Sequence, residues 1–180
     1  MEASLQALWN KGLWDQGWYR FARRLDSPNF GARPQGTTID LVVIHSISLP
    51  PAKSETDYGG GYVQQLFTNT LNWDAHPYFD EIRGQEVSSH FFIERTGFLW
   101  QFVSCDDRAW HAGASRYQGR NNCNDDSIGI ELEGVPGVQA QPEVVDPHGE
   151  PGGVDLVRSL VDDLDAHLLE HRQHGRERDR

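Results

Sequence analysis

A clear strand signal lies at residues 127–133 of this 180-residue chain, which read Ser-Ile-Gly-Ile-Glu-Leu-Glu. Successive side chains of a strand point to opposite faces, so Glu131 and Glu133 share one face. Ile130 and Leu132 share the other. Carboxylates on an otherwise apolar strand are solvated, paired or functional. Taken alone, the pattern favours an open sheet face in contact with water.

Upstream, two further elements are predicted before this strand. Residues 90–94 and 98–103 are apolar runs on either side of an Arg-Thr-Gly turn, which is typical of a β-hairpin. Apolar side chains recur at helical spacing between Tyr62 and Leu71, which predicts a short amphipathic helix.

Further upstream, residues 39–44 form a β-branched apolar run that ends at His45. Such a run predicts a strand that is buried on both faces. The carboxyl end of a strand delivers side chains into a crevice, so His45 is a candidate functional residue. The alternative is a histidine satisfied in the core or on the surface. The turn Trp110–Gly113 adds an aromatic ring and a second imidazole, which alone is a weak signal.

Composition narrows the classes of function. The chain carries 27 acidic and 16 basic side chains, a formal charge of −11. Nucleic-acid-binding domains normally carry a basic excess, so no nucleic-acid partner is expected. No apolar run approaches the length of a membrane span, and the first residues lack the charge pattern of a secretory signal. We therefore expect a cytoplasmic protein with no membrane partner, in which Cys105 and Cys123 are reduced.

The composition of the chain changes sharply toward its C terminus. The last aromatic residue is Tyr117, and no lysine follows Lys53. A loop rich in proline and glycine follows Gly137, and the segment from Leu156 to Leu169 then carries one apolar helical stripe. The final residues 172–180 are charged, and we expect them to be frayed.

Several motifs in fixed order point to one family. They are Val43–Pro51, Leu66–Thr68, Ala75–Phe79, Val87–Phe91, Arg108–Gly113, Tyr117–Gly119, Cys123–Asp125 and Ser127–Gly134. Together they closely resemble the AmpD-type 1,6-anhydro-N-acetylmuramoyl-L-alanine amidases, whose fold is shared with phage amidases and peptidoglycan recognition proteins. The resemblance covers roughly Gly17 to Gly134.

The resemblance implies a single α/β domain with a mixed central β-sheet flanked by helices. It also implies a cytoplasmic zinc hydrolase of recycled cell-wall muropeptides, which we expect to be monomeric. On this mapping His45 is a zinc ligand and Glu131 the catalytic carboxylate, while Trp110 and Ser46 bind substrate. A zinc ion with an open position would lower the pKa of its bound water and polarise the amide carbonyl. Glu131 would pass the proton of that water to the leaving amine.

The family's remaining metal ligands do not appear in this sequence. They come from a late histidine followed eight residues on by lysine and ten residues on by aspartate. Here His148 is followed ten residues on by Arg158, and His167 by Glu177. His167 and His171 have a helical spacing that can chelate a metal, but a polar helix face is the better interpretation. We therefore interpret residues 17–135 as an amidase domain that is incomplete at its C terminus, and residues 136–180 as a divergent tail.

Two departures lie inside the matching region. Asn122 stands where the family usually has arginine, and Glu86 where it usually has a basic residue. Loss of both cations is expected to weaken binding of the carboxylates of a stem peptide. Two functions consequently remain open: a zinc amidase, or a muropeptide-binding pseudo-enzyme that lacks the full zinc site. A damaged product without stable activity is the third interpretation.

We hypothesise that the coding frame changes after about Val135, because family identity stops within a few residues. A natively divergent C terminus is the rival hypothesis, since the stripe from Val157 to Leu168 could pack as a helix. Translating the other two frames of the gene distinguishes them. A His-x7-Lys-x-Asp motif downstream in another frame is the expected result, and its absence from both would refute the frame change.

Overall fold

The computed structural model of this chain describes residues 12–54, 57–134 and 160–164. Strands and helices alternate with long loops over this part of the chain. The strands are β1 (Trp14–Asp15), β2 (Trp18–Tyr19), β3 (Arg23–Arg24), β4 (Phe30–Ala32), β5 (Leu41–Ile47), β6 (Phe91–Ile93), β7 (Leu99–Gln101), β8 (Asp107–Ala109), β9 (Arg116–Tyr117), β10 (Arg120–Asn121) and β11 (Ser127–Glu133). The helices with both ends in the described residues are α1 (Tyr62–Phe67) and two 3-10 helices (Trp73–Ala75 and Pro77–Ile82), and residues 160–164 are also helical.

Five of the strands form one mixed sheet in the order β3-β7-β6-β11-β5. β11 pairs in parallel with both β5 and β6, β3 pairs in parallel with β7, and β6 and β7 are antiparallel. The other strands form two-stranded ribbons: β1 with β2, β4 with β8, and β9 with β10. The mixed central sheet of a single α/β domain is confirmed.

β11 has the bounds and the alternation that the sequence predicts. It lies between two parallel neighbours, and its first five residues are buried. Strands in the interior of parallel sheets are covered on both faces, which explains the continuous burial. Ile128 and Ile130 are fully buried in the core of one face, while Glu131 and Glu133 occupy the other face.

β5 differs from its prediction in two ways. It extends through His45 to Ile47, so the histidine lies within the strand and not after it. It is also the edge strand of the sheet in the described residues, and Ile44 is 51% exposed. Burial on both faces is therefore wrong for this strand. A β-branched apolar run does not distinguish a central strand from an edge strand.

The predicted hairpin and helix are both present. β6 and β7 pair around a turn in which Gly97 has a positive φ of 81°, which glycine adopts without steric cost. The helix α1 ends four residues before the predicted limit at Leu71. Asn69 follows it with a left-handed φ of 57°, and the Thr68 hydroxyl donates to the Gln64 carbonyl, so the helical backbone stops there.

Buried side chains form two hydrophobic clusters, one on each face of the sheet. Phe91 and Ile93 of β6 belong to one cluster, whereas Phe92 belongs to the other. The second cluster includes Val63, Leu66 and Phe67 of α1. The helix therefore covers the face of the sheet that carries Glu131.

Residues 160–164 are helical and cover the opposite face. Leu160 and Leu164 are 1% and 0% exposed within the first cluster, and the Tyr19 hydroxyl donates to Asp163 at 2.7 Å. Burial, together with the Asp163 carboxylate, raises the pKa of Tyr19 above its usual value. This segment agrees with the predicted helix at 156–169. The remainder of that helix, like the frayed end at 172–180, lies outside the described residues.

Both cysteines are free and buried, and burial raises the pKa of the Cys105 thiol.

None of the helices in the described ranges has the length and apolar character of a membrane span.

Replacing Leu164 by Ala tests the packing of the C-terminal segment. Removing a fully buried leucine side chain lowers the free energy of unfolding by about 2–5 kcal/mol. Urea denaturation of the full chain measures this change. The exposed neighbour Asp162 supplies the control, because its replacement by Ala alters the stability by less than about 0.5 kcal/mol. Equal stability of the two variants would contradict the packing.

Candidate functional site

The two residues singled out by the sequence lie side by side. Glu131 of β11 is the register partner of His45 of β5, and the two strands are parallel. Parallel partners project to the same face, so an imidazole and a carboxylate share one side of the sheet near its carboxyl edge. Ligands bind at this edge in open α/β sheets.

Glu131 is buried, with 8% of its surface exposed. Burial disfavours the charged carboxylate and raises its pKa to about 7. A water-filled sheet face, the interpretation favoured by the strand pattern alone, is therefore wrong for this residue. A carboxyl group with this pKa can both accept and donate a proton near neutral pH.

Glu133 lies on the same face but has a different environment. Its two carboxylate oxygens accept hydrogen bonds from the backbone N–H of Gly59 at 2.9 Å and of Arg95 at 3.0 Å. These contacts join the glycine-rich loop and the β6–β7 turn to the end of β11. Glu133 therefore organises the rim of the site, and Glu131 is the better candidate for proton transfer.

A second imidazole, that of His111, lies next to His45. His111 follows β8, and its Nδ1 lies 3.0 Å from Nε2 of His45, with the two rings nearly perpendicular. Its own Nε2 lies 3.0 Å from the Ser127 hydroxyl. The sequence marks His111 only weakly, because neither its turn nor its spacing indicates that it is a neighbour of His45.

Gly129 is the sequence signal that could have identified this contact. A Cβ atom at this position would lie 2.4 Å from Cγ of His111, so the imidazole ring packs directly on the backbone of β11. Glycine inside a strand often marks such a close approach. The glycine at 129 therefore indicates that a side chain, here the His111 ring, packs against the backbone of this strand.

Hydrogen bonds to loop backbone hold the turn that carries His111. The Asn124 carboxamide oxygen accepts from the backbone N–H groups of His111 and Ala112. The guanidinium of Arg33 donates to the carbonyls of Cys105, Asn124, Asp125 and Ser127. Because one cation serves four carbonyls, the loops beneath the site are fixed to each other. The sequence did not indicate this role for Arg33.

Both imidazoles are neutral at pH 7. Burial lowers the pKa of His45. Burial, the neighbouring His45 and the Arg33 cation lower the pKa of His111 to about 3. A pair of neutral imidazoles can share one hydrogen bond in which one ring donates and the other accepts.

Of the two residues implied for substrate binding, Ser46 lines a described cavity and Trp110 is not among its lining residues. Ser46 is exposed and lines a cavity of about 330 Å³ at the end of β5. Trp110 is half-buried, and its backbone N–H donates to the Ser88 hydroxyl. The other residues that line the cavity are Ile47, Ser48, Leu49, Pro51, Leu66, Tyr78, Ile82, Gln85, Val87 and Gly134.

The ligands expected for zinc are not complete in this part of the chain. Within residues 12–54, 57–134 and 160–164, no three histidine, cysteine, aspartate or glutamate side chains are close enough to hold a metal ion. A catalytic zinc site needs three protein ligands. Nε2 of His45 already contacts His111. His148, His167 and His171 lie outside the described residues.

Comparisons with known proteins agree with the geometry. A family model described as N-acetylmuramoyl-L-alanine amidase matches residues 35–177. The curated 1,6-anhydro-N-acetylmuramyl-L-alanine amidase AmpD of Escherichia coli K12 is 52% identical over 123 residues, which are 68% of this chain and 65% of that protein. AmpD of Haemophilus influenzae is 50% identical over 120 residues, 67% of this chain and 63% of that protein. The chain thus aligns with less than two thirds of the length of these relatives.

Solved structures show the same similarity. A crystal structure of a selenomethionine AmpD derivative superposes with a TM-score of 0.66 at 48% identity and covers 72% of each chain. The solution structure of Citrobacter freundii AmpD gives a TM-score of 0.53 at 40% identity, over 87% of this chain and 77% of that one.

The raised pKa of Glu131 predicts a pH-dependent stability. In chelator-treated protein, the folded carboxyl group binds its proton up to about pH 7, whereas the unfolded group releases it near pH 4.5. The native state therefore binds more protons in this interval, and its free energy of unfolding falls as the pH rises. Relative to Glu131→Gln, the wild type loses about 3 kcal/mol between pH 4.5 and pH 8. Urea denaturation at several pH values measures the difference, and a constant difference would contradict the shift.

Proposed function

This chain belongs to the N-acetylmuramoyl-L-alanine amidase family, and on that premise we propose that it hydrolyses the amide between (anhydro-)N-acetylmuramic acid and L-alanine in cell-wall muropeptides. Relatives that are about 50% identical are named as amidases of this bond. The reaction releases the stem peptide from the sugar and belongs to peptidoglycan recycling. Its class is the hydrolysis of an unactivated amide.

The position of Glu131 opposite His45 is the observation that carries this proposal. Amide hydrolysis forms a bond between a water oxygen and the carbonyl carbon and breaks the bond from that carbon to nitrogen. The departing nitrogen is a poor leaving group until it is protonated. Glu131 accepts the proton of the attacking water and delivers it to this nitrogen, so that one residue serves both halves of the reaction.

Burial supports this role for Glu131. Glu131 lies on the face of the sheet that α1 covers, and 8% of its surface remains exposed. In such an environment the carboxyl group is not held permanently in its ionised state. Both oxygens of Glu133, in contrast, accept backbone hydrogen bonds from the surrounding loops.

Zinc dependence is the family's property and a further part of the proposal. A bound zinc ion would supply a water of lowered pKa and a polarised carbonyl. His45 is the described residue that would be its ligand, but the described residues do not complete a site. The zinc content of the purified chain decides this part independently of Glu131.

We also propose where the substrate lies. The cavity at the end of β5 presents the Ser46 residue and an apolar wall that includes Leu49 and Tyr78. Trp110, next to His111 in the chain, would supply an aromatic surface for the substrate. The glycan and peptide portions of the muropeptide would then extend to either side of Glu131. We propose a monomer acting on recycled fragments in the cytoplasm, and the charge of −11 argues against nucleic acid as a partner.

A second function is binding of muropeptide without cleavage. The sequence favours it, because no histidine after Gly134 is followed eight residues on by lysine and ten residues on by aspartate, and a binding groove can remain where the chemistry is lost. Release of L-alanine peptides from anhydro-muropeptide distinguishes the two functions. Binding of the muropeptide in calorimetry without release of peptide would support the second one.

Replacing Glu131 by Gln removes the proton carrier while keeping the size of the side chain. General acid–base catalysis typically contributes about 100- to 10,000-fold, so kcat falls by that factor while zinc content is unchanged. Chromatographic release of the stem peptide from anhydro-muropeptide measures the rate.

The control for this experiment is Glu81→Gln, an exposed carboxylate on the 3-10 helix Pro77–Ile82. Its kcat should equal that of the wild type. Full activity in the Glu131 variant would assign the proton transfer to another residue.

A further inference from the structure

We propose that Glu133 is a positioning residue that holds the start of helix α1 on the central sheet and thereby keeps one wall of the substrate cavity in place. It lies at the end of β11, one residue before Gly134, which lines that cavity. Its contacts with Gly59 and Arg95 are here called the clamp. The effect of the clamp on muropeptide binding rests on the proposed function, whereas the clamp itself does not.

Helix α1 has few features of its own that fix where it begins. It is six residues long, and isolated helices shorter than about 12–15 residues are marginal in water. Its N-cap is Gly61, which has no side chain to accept a hydrogen bond from the first turn, and the first turn Tyr62–Gln64 carries no acidic residue. The position of this helix therefore depends on contacts with the rest of the fold.

The segment that leads into α1 is also weakly specified by its own residues. Gly59, Gly60 and Gly61 follow one another with φ values of 96°, 83° and 68°. Glycine enters this left-handed region without steric cost, but it loses more conformational freedom on folding than any other residue. A run of three such glycines therefore needs a partner outside the run to hold it in one conformation.

Glu133 is such a partner. One carboxylate oxygen accepts a hydrogen bond from the backbone N–H of Gly59 at 2.9 Å, and the other accepts from the backbone N–H of Arg95 at 3.0 Å. The guanidinium carbon of Arg95 lies 4.6 Å from the centre of the Tyr58 ring, a cation–π contact between the same two segments. Because hydrogen bonds to a carboxylate are stronger than those between neutral groups, Glu133 connects the residues before α1 to the β6–β7 turn.

The placement of α1 affects the cavity, because Leu66 of this helix is one of the lining residues. The middle of the helix has a tie of its own, since Gln64 donates to the Glu94 carboxylate at 2.8 Å. Glu133 holds the start. The position of Glu131, in contrast, follows from the pairing of β11 with β5. Loss of the clamp should therefore weaken the binding of substrate and leave the rate of cleavage of bound substrate nearly unchanged.

Two variants of the full chain remove the clamp in steps. Glu133→Gln keeps the length of the side chain but has one acceptor oxygen for two separate N–H groups, and Glu133→Ala has none. Amide hydrogen exchange measured by NMR should become about tenfold faster at Gly59 or Arg95 in the Gln variant, and at both in the Ala variant. Exchange at Ile130 in the middle of β11 should not change, which shows that the sheet is intact. The methyl signals of Leu66 should shift in the Ala variant.

Calorimetry with anhydro-muropeptide and steady-state kinetics measure the effect on the substrate. In Glu133→Ala we expect Kd and KM to rise about tenfold while kcat stays within about twofold, with a smaller rise for Gln. A general disruption of the site would lower kcat as well. The matched control is Glu81→Ala, which removes an exposed carboxylate from the 3-10 helix Pro77–Ile82. It should leave Kd and the exchange at Gly59 unchanged.

The contrary results are distinct from one another. Equal exchange at Gly59 and Arg95 in the wild type and in Glu133→Ala would refute the clamp. Faster exchange with an unchanged Kd would refute its effect on binding, and a large fall in kcat at unchanged KM would place Glu133 in the chemical step instead. If the wild type neither binds nor cleaves the muropeptide, the proposed function fails, while the exchange rates and the Leu66 signals still decide whether Glu133 positions α1.

Discussion

The parallel pairing of β11 with β5 is the constraint on which the site depends. Seven consecutive residue pairs join these strands, from Ser127 with Leu41 to Glu133 with Ile47. A shift of one residue would move every side chain of β11 to the other face. Glu131 would then enter the cluster built from Ile128 and Ile130, where nothing could solvate its charge. Packing of the apolar face therefore selects the register that brings the carboxylate to His45.

The surroundings of the site give chemically similar residues different roles. Glu131 and Glu133 lie two positions apart on one face, yet burial affects the pKa of the first while backbone N–H groups satisfy the second. His45 and His111 likewise share one hydrogen bond with opposite roles. These distinctions come from the loops around the sheet, which Arg33 and Asn124 hold in place. The central sheet thus places the side chains, and the surrounding loops determine which polar group donates, accepts or is buried.

Local sequence was sufficient for β5, β6, β7, β11 and α1 and for the faces of β11, whereas it did not predict the short strands β1–β4 and β8–β10. Alternation at 127–133 gave the strand and the side shared by its carboxylates, and the family motifs gave the mixed sheet. The strand order could not be predicted from the sequence, because a β-branched run does not show how many neighbouring strands it has. β5 is an edge strand in the described residues, and its Ile44 is exposed. The burial of Glu131 depends on distant segments, among them α1. His111 left one trace in the sequence, the glycine at 129.

The register between β11 and β5 can be measured directly in solution. Cross-strand nuclear Overhauser effects between backbone amide and Hα protons report which residues are opposite each other, without any need for activity, metal or substrate. We expect contacts that place Gly129 opposite Val43 and Glu131 opposite His45. Contacts that place Glu131 opposite Ile44 or Ser46 would contradict this register, because the carboxylate and the imidazole would then lie on different faces of the sheet.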